Sequence, residues 1–526
     1  MRMKARSVSR EAWAKVSGLG MRLGRGAPML GHLGASGGSQ ELPTAIPVSR
    51  QARSVLVLGV ISYLAFYLTW VLTKHQGFST YGFDLGIHDQ AMWLLSRGKS
   101  PFITISGNPY FGDHLYFLMA PLAPLYWLLD DVRVLIVLQP VVLALAAVPL
   151  FLIAREKLRS EWLASGMVWA YFLNPYVGWI TLEEFHPDVF EVPLVFAIFW
   201  FALRKRWAGF LVTALLLLLA KEDTPLLLLG VGVWVALRYH RRLGILTTLL
   251  AAGWFLLNFK VLLPVLGGTG SLGAYISTHG ERIPFGGLGG LLGTLFTKPW
   301  RVIGALFGPR RPLYYLQVFA PLGFAPFLSP STLAAVMAPL LANGLSTFWY
   351  QQTIERHYGT LVIPGLLVAA LYGIAHLPVR IHKSVVGLVI ISAVIGLYLW
   401  GPAPGSRHPG RWVTSAPSYA QTAEEAIDMI PAQASVSADY HLVTHLSHRS
   451  EIYEFPCPWL DHNWEDGRST DRTLSDRAEE VEYVLVLRES KPQVKETLDR
   501  LMKSGNYQTV LDRDGVVLLA RDGQAK

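Results

Sequence analysis

Apolar stretches long enough to cross a bilayer recur between residues 55 and 401 of this 526-residue chain. Each runs roughly 15–24 residues, against the 20 or so helical residues needed to span a hydrocarbon core. None alternates with a period of two, which sets aside a transmembrane barrel. A chain that is 52% hydrophobic and 16% charged, with a mean hydropathy of +0.35, is too apolar for a water-soluble protein of this size. The pattern predicts a polytopic α-helical membrane protein. About 11 transmembrane helices are expected, near residues 55–73, 132–154, 162–181, 188–203, 207–220, 224–238, 243–266, 312–328, 331–345, 360–377 and 384–401.

The loops between these spans alternate in character. One set is basic: Arg155, Lys157 and Arg159, then Arg204 to Arg206, Arg238 to Arg242, and Arg380 with Lys383. The other set mixes acids, histidines and aromatics: FDLGIHDQ (83–90), EEFHPD (183–188), KED (221–223) and QQTIERHY (351–358). Basic loops stay in the cytoplasm, so the mixed set is expected to face outward. The first outer loop covers residues 74–131. It opens with an amphipathic helix, LGIHDQAMWLLSRG, and closes with HLYFLMAPLAPLYWLLDD, which Pro121 and Pro124 mark as re-entrant or interfacial. The Gly-rich stretch 267–311 lacks the strand and βαβ unit of a dinucleotide fingerprint and reads as a flexible outer loop or half-helix.

Residues 1–54 hold nine Lys/Arg and two Glu, most of the chain's net charge of +9. They carry no apolar core of a signal peptide and read as a disordered, basic, cytosolic N-terminus. The positive charge is that of a membrane anchor, and nucleic acid is not an expected partner. After a membrane domain at 55–401 and a linker at 402–414, residues 415–526 read as a small extracytoplasmic α/β domain. The single cysteine, Cys457, excludes an intramolecular disulfide.

Four clusters can carry chemistry. Asp84 lies among Tyr81, Phe83 and Leu85, a setting that raises a carboxyl toward use as a base. Asp89, Asp113 and His114 follow in the same loop. EEFHPDVFE places Glu183, Glu184, His186, Asp188 and Glu191 at a helical joint, costly beside hydrocarbon unless paired, metal-bound or facing a cavity. Lys221, Glu222 and Asp223 interrupt a Leu-rich stretch and read as an ion pair or an anion site. Arg356, His357 and Tyr358 have the same standing. Lys298, Arg301, Arg310 and Arg311 depart from the charge rule if outward, and a phosphate partner is one reason for such a departure. His441, His445 and His448 recur at i, i+4 and i+7 on an expected short helix. Zinc is one reading of that spacing, and surface or packing histidines the other. No spacing specifies a metal. A divalent ion, Mg or Mn, is compatible with the oxygen and imidazole donors.

The ordered motifs FDLGIHDQAMW, GDHLYFLMAPLAPLY, FHPDVFEVPL, KED, HYGTLVIP and HLSHRSEIYEFP resemble a broad family of predicted bacterial and archaeal membrane proteins of unassigned function. That family in turn resembles the GT-C membrane glycosyltransferases, such as the protein O-mannosyltransferases and the aminoarabinose transferases. The resemblance implies transfer, with inversion, of a sugar from a polyprenyl-phosphate donor to a cell-envelope glycan, lipid or protein acceptor on the outer face of the plasma membrane. It places Asp84 as the first-loop base, with Asp89 as the alternative. The adjacent acids of the common GT-C pattern are absent, since Asp84 and Asp89 are five apart. In this reading Lys221 and Arg356 hold the phosphate, assisted by Arg301 or Arg311. His186 and Asp188 shape the sugar site or bind a metal, alongside His114, Glu184, Glu222, Asp223, His357 and Tyr358.

A secondary transporter or lipid flippase, relaying ions through the buried Lys, Glu, Asp and His, is the competing reading. No inverted repeat or pair of broken helices supports it. A scaffold whose soluble domain binds a partner leaves the membrane-face charges unexplained.

Overall fold

The computed structural model describes residues 49–267, 282–407, 415–460, 475–488 and 492–524. The expected disordered N-terminus up to residue 48 lies outside these, as do most of the 402–414 linker and part of the Gly-rich stretch.

Among the described residues, five helices are long and apolar enough to cross a membrane: Arg50–Gln76, Arg133–Leu158, Arg241–Leu266, His357–His376 and Val379–Trp400. Shorter apolar helices fill the bundle between them, including Trp207–Leu218, Pro225–Arg238 and Pro330–Leu345. The core runs along the 362–376 helix, in which every residue from Val362 to Ile374 is buried. A helix apolar on all sides belongs inside. Small residues bring its neighbours close: a Cβ on Gly365 would lie 2.8 Å from Val336, and one on Gly373 would lie 2.7 Å from the Ala325 carbonyl. The outer helices instead expose Leu58, Ile61, Leu249, Leu250, Ile391 and Ile395. Such faces suit lipid and not water.

Two expected spans are broken, each for a local reason. The 162–181 span divides into Glu161–Phe172 and Pro175–Leu182, because Asn174 accepts from the Tyr176 N–H and Pro175 restarts the helix. The 312–328 span is helical only at Arg311–Phe319. Gly323 and Phe324 take positive φ values of 58° and 54°, and two short 3-10 turns follow instead. In the Gly-rich stretch, residues Gly287–Thr297 and Pro299–Leu306 form two short helices. The HLYFLMAPLAPLYWLLDD segment is a six-residue 3-10 turn and a four-residue helix, too short to span.

Charge divides between the two ends of the bundle. At one end Arg204 pairs with Glu156, Lys157 lies 3.5 Å over the Tyr372 ring, and the Ser49 N–H donates to Glu161. The chain leaves at the opposite end, where the Trp400 carbonyl accepts from Trp179. That opposite end carries residues 77–131, the acid-rich joints and the C-terminal residues.

Residues 415–524 build a five-stranded mixed sheet. A small hairpin of β1 (Phe102–Ile103) and β2 (Asn108–Pro109) precedes it in the chain. In the sheet, β3 (Val436–Ala438) lies between β4 (Ile452–Glu454) and β5 (Tyr483–Leu487), parallel to both. The antiparallel hairpin β6 (Tyr507–Arg513) and β7 (Val516–Arg521) completes the order β4-β3-β5-β7-β6. Helix Ala420–Asp428 packs on β7, and Pro492–Lys503 on β6. The expected helix at 440–449 is a single 3-10 turn, Val443–His445, because the segment answers to partners on the membrane domain.

Candidate functional site

Four polar segments meet at the acid-rich end of the bundle. The turn Gly82–Gly86 precedes helix Ile87–Ser96 and carries Asp84 at φ 59° and ψ −88°. A side chain with a Cβ holds positive φ only at a cost of about 1–3 kcal/mol, a form of strain found at functional sites. The second segment is the joint Glu183–Asp188 between helices Pro175–Leu182 and Glu191–Leu203. The third is Lys221–Asp223, between two apolar helices. The fourth is Glu355–Gly359, ahead of the core helix.

His186 stands at the centre. Its Nδ1 lies 2.7 Å from the Glu184 carbonyl, so that nitrogen carries the proton. Its Nε2 faces Asp84 Oδ1 at 3.4 Å. The His357 ring lies on the His186 ring at 3.7 Å, and His357 Nδ1 faces Glu183 Oε2 at 3.4 Å. Burial alone would neutralise these groups, but each offsets another. Burial opposes the charge on His186, yet Asp84, Glu183 and Asp188 together raise it to about 9. Burial also opposes the charge on Asp84, yet the charged His186 beside it holds the carboxyl well below the usual range, the reverse of the rise its apolar neighbours Tyr81, Phe83 and Leu85 led one to expect. Asp84 is thus an ionised carboxylate at neutral pH, with its side chain 27% exposed.

Glu183, His186 and His357 each present one ligand atom, all within 4.8 Å of one another. Glu183 Oε2 and His357 Nδ1 are buried and make no hydrogen bond. The Glu184 carbonyl holds the His186 Nδ1 proton, so Nε2, which faces Asp84, is the nitrogen that would ligate a metal on giving up its proton, the second-shell arrangement of metal-binding histidines. Two imidazoles and a carboxylate fit a divalent ion.

Around this centre lie further pairs. Lys74 donates to Glu184 at 2.5 Å. His114 Nδ1 lies 2.7 Å from Glu222, whose other oxygen accepts from the Leu115 N–H. Burial opposes both charges in that pair, yet the contact raises His114 and lowers Glu222 to about 2. Lys221 is buried and paired with Asp188, which also accepts from Tyr116 at 3.0 Å. Asp223 has a buried oxygen without a hydrogen bond, and burial, with Glu222 and Asp188 nearby, pushes it up to about 6. Tyr358 stacks on Tyr350 and lies tilted against His357. Arg356 approaches Glu183 at 3.4 Å with its side chain 32% exposed.

The fold does not gather every residue singled out in the sequence. Asp89 is fully buried and turned away from Asp84, accepting from Tyr126 and Ser447 at 2.5 Å each and facing His448 at 3.0 Å. Lys221 is committed to Asp188, because a lysine this deep needs a counter-charge. Arg311 donates to the carbonyls of Gly344 and Ser346, and Arg301 lies over Phe285. The three C-terminal histidines go to separate partners, which sets aside a shared metal. His441 meets Tyr81, His445 stacks on His75, and His448 lies between Asp89 and Asp130.

Sequence reading passed over four contributors. Gln139 donates to the carbonyls of Ile180, Glu183 and Glu184 and accepts from the His186 N–H. Its signal was legible, as a lone amide in the apolar run RVLIVLQPVVLAL. His88, hydrogen-bonded to Tyr110, is pushed by burial and by His186 down to about 3, so it is neutral. Arg282 packs on Phe348 with a buried Nε that makes no hydrogen bond. Tyr440 stacks on Tyr81, a contact across the chain that no local pattern announces.

A family model described as a predicted membrane protein, DUF2079, matches residues 74–518, most of the chain. No curated protein matches it. Among solved structures, ArnT from Cupriavidus metallidurans bound to undecaprenyl phosphate is similar at 14% identity with a TM-score of 0.51. The match covers 89% of this chain and 99% of that one. The same protein in its apo state matches at 12% identity and a TM-score of 0.51, covering 89% and 98%. At such identities the likeness is one of fold alone.

Proposed function

The chain belongs to the DUF2079 family of predicted membrane proteins, and we propose that it is a membrane glycosyltransferase that moves a sugar from a polyprenyl-phosphate donor to a cell-envelope acceptor, with inversion. The observation that carries this reading is Asp84. It is an ionised, partly exposed carboxylate on a strained turn beside His186, in a fold shared with an enzyme captured with undecaprenyl phosphate.

In this reading Asp84 takes the proton of the acceptor hydroxyl as that oxygen bonds to the anomeric carbon, while the bond to the donor phosphate breaks on the opposite face. His186 orients the carboxylate. The leaving phosphate needs cations. Lys221 is occupied, so that role falls to Arg356 and Arg282, the first with its side chain 32% exposed and the second with its Nε unsatisfied. A divalent ion held by Glu183, His186 and His357 would supply charge stabilisation, and two imidazoles favour Mn over Mg. The topology that accompanies the reading has eleven spans, the basic end in the cytoplasm and the C-terminal residues outside the plasma membrane. Alkaline phosphatase fused after Lys526 should be active in cells, and an inactive fusion would reverse the orientation.

The test of function is turnover in lipid nanodiscs with a panel of radiolabelled polyprenyl-phosphate sugars. One donor should release polyprenyl phosphate, and Asp84→Asn should abolish the release. The transport reading draws on Asp223, a buried carboxyl poised near neutrality. Substrate flux without polyprenyl phosphate release would select it.

A further inference from the structure

The strained turn at Asp84 is closed by its own backbone hydrogen bonds, Gly86 N–H to the Tyr81 carbonyl and Ile87 N–H to those of Gly82 and Asp84, but these are not all that holds it. The turn around it is gripped by residues more than 350 positions away. The Gly82 N–H donates to the Tyr440 carbonyl at 3.0 Å. The Tyr440 ring lies on Tyr81, 4.6 Å between centroids and 10° from parallel. Val443 occupies the space where a Gly82 Cβ would stand, 2.9 Å from that position, and also reaches within 3.3 Å of the Gly86 position. Gly82 is therefore moulded to Val443 of the C-terminal domain, and Gly86 lies between Val443 and Ile105 of the first loop.

The gripping segment is itself tied down just beyond the turn. Ser447 and His448 meet Asp89, on the helix that starts directly after Gly86. His448 also reaches Asp130, with Nε2 3.0 Å from Asp89 and Nδ1 2.9 Å from Asp130. With a carboxylate at each nitrogen, both nitrogens must donate, so the ring is an imidazolium. Arg97 faces the same site through Asp130, Trp93 and Tyr126 flank the ring, and Asp131, Arg133 and Glu424 line the adjoining cleft.

We propose that the C-terminal domain is a positioning element for Asp84: residues 440–448 clamp the Gly82–Gly86 turn in its strained form, and His448 latches the clamp to Asp89 and Asp130. This rests on the reading of Asp84 as the reacting group. Tyr440, Val443 and His448 act through Asp84 and touch no reacting atom. The latch is protonation-dependent. Deprotonation of His448 sets a lone pair against a carboxylate and loosens the clamp, so the grip is full at low pH and is lost as pH rises through the histidine's titration.

Two readouts test this on the full chain in nanodiscs. The first is amide hydrogen exchange over residues 82–90, which needs no activity. His448→Gln, which keeps one donor and loses the other, should speed exchange there. In the parent chain the same amides should exchange faster as pH rises, after correction for intrinsic exchange. Gly82→Ala, wedged against Val443, should do likewise, and Gly82→Ala with Val443→Gly should restore slow exchange. The second readout is turnover. Gly82→Ala should lower kcat roughly a hundredfold with little change in donor KM, and Val443→Gly should rescue it. Unchanged exchange in both His448→Gln and Gly82→Ala overturns the clamp whatever the activity. Altered exchange in a parent chain that transfers no sugar leaves the clamp standing and overturns instead the catalytic reading of Asp84.

Discussion

The rings of His186 and His357 lie 3.7 Å apart and 23° from parallel, with a carboxylate facing an outer nitrogen of each: Asp84 toward His186 and Glu183 toward His357. Two imidazolium ions stacked this closely repel, so at most one carries a charge. The gaps to both carboxylates are 3.4 Å, long for charge-assisted hydrogen bonds. A cation between these donors would relieve both features. Mn titrated into the nanodisc-held protein should bind saturably, with loss of the free-ion EPR signal. His357→Ala should weaken it by about tenfold or more. Equal binding by parent and variant would remove the metal from this site.

Asp84→Asn keeps size and shape and removes the charge. Turnover should fall by about 10²–10⁴-fold, while donor binding persists. Scintillation binding of the labelled donor beside a turnover assay separates the two. A variant that binds poorly and reacts normally once saturated would make Asp84 a binding group.

The same pair sets a pH dependence. His186 is raised to about 9 from an ordinary value near 6.5. Its ion pair therefore stabilises fully below about pH 6.5 and fades as pH rises through about 9. Asp84 is depressed, so its share is present above the ordinary aspartate range and lost only on strong acidification. Melting temperature should decline steadily from about pH 6.5 to about pH 9, while turnover stays flat through neutrality and declines only toward pH 9. In Asp84→Asn the alkaline decline in melting temperature should move to lower pH, since His186 has lost its first-named partner.

Lys221 is better read as structure than as a phosphate ligand. It is buried with Asp188 and lies over the rings of Tyr116 and Tyr358. Lys221→Ala strands a buried carboxylate and should cost about 3–5 kcal/mol of stability. Lys221→Met with Asp188→Leu should recover most of the melting temperature. A Lys221→Ala protein that melts normally but binds donor poorly would return the lysine to the phosphate.

What the sequence disclosed follows from the cost of charge beside hydrocarbon. Asp84, His186, Asp188 and His357 stand next to long apolar runs, where an ionisable group is expensive unless partnered. The fold brings them together for that reason. The same argument flags Asp89 and Lys221 and does not separate them from the reacting centre. Asp89 meets Ser447 and His448, 358 and 359 positions away, and no local pattern carries that pairing. Helix positions were legible from apolar length. The breaks at Asn174–Pro175 and Gly323–Phe324 were not, because the apolar stretches on either side of each pair read together as one span, although Asn-Pro is itself a break signal. The histidines at 441, 445 and 448 show the limit of spacing. Their helical interval held no helix, since the segment takes its shape from the surface it grips.

Gln139 offers the sharpest test of how the joint is built. The two N–H groups of one buried amide reach the carbonyls of Ile180 and Glu183, with that of Glu184 sharing a longer contact, and its oxygen receives the His186 N–H. It thus fixes the backbone from which Glu183 and His186 project. Gln139→Leu is close in volume and leaves these groups unsatisfied, at about 1–3 kcal/mol for a buried polar group. The variant should melt several degrees lower and bind Mn more weakly, because the two ligands lose their shared anchor. Gln139→Glu supplies acceptors only. It should keep the His186 contact, lose the three carbonyl contacts, and fall between parent and leucine variant in Mn affinity. If Gln139→Leu lowers the melting temperature and leaves Mn affinity unchanged, the joint holds its geometry through Pro187 and the surrounding helices, and the amide serves packing alone.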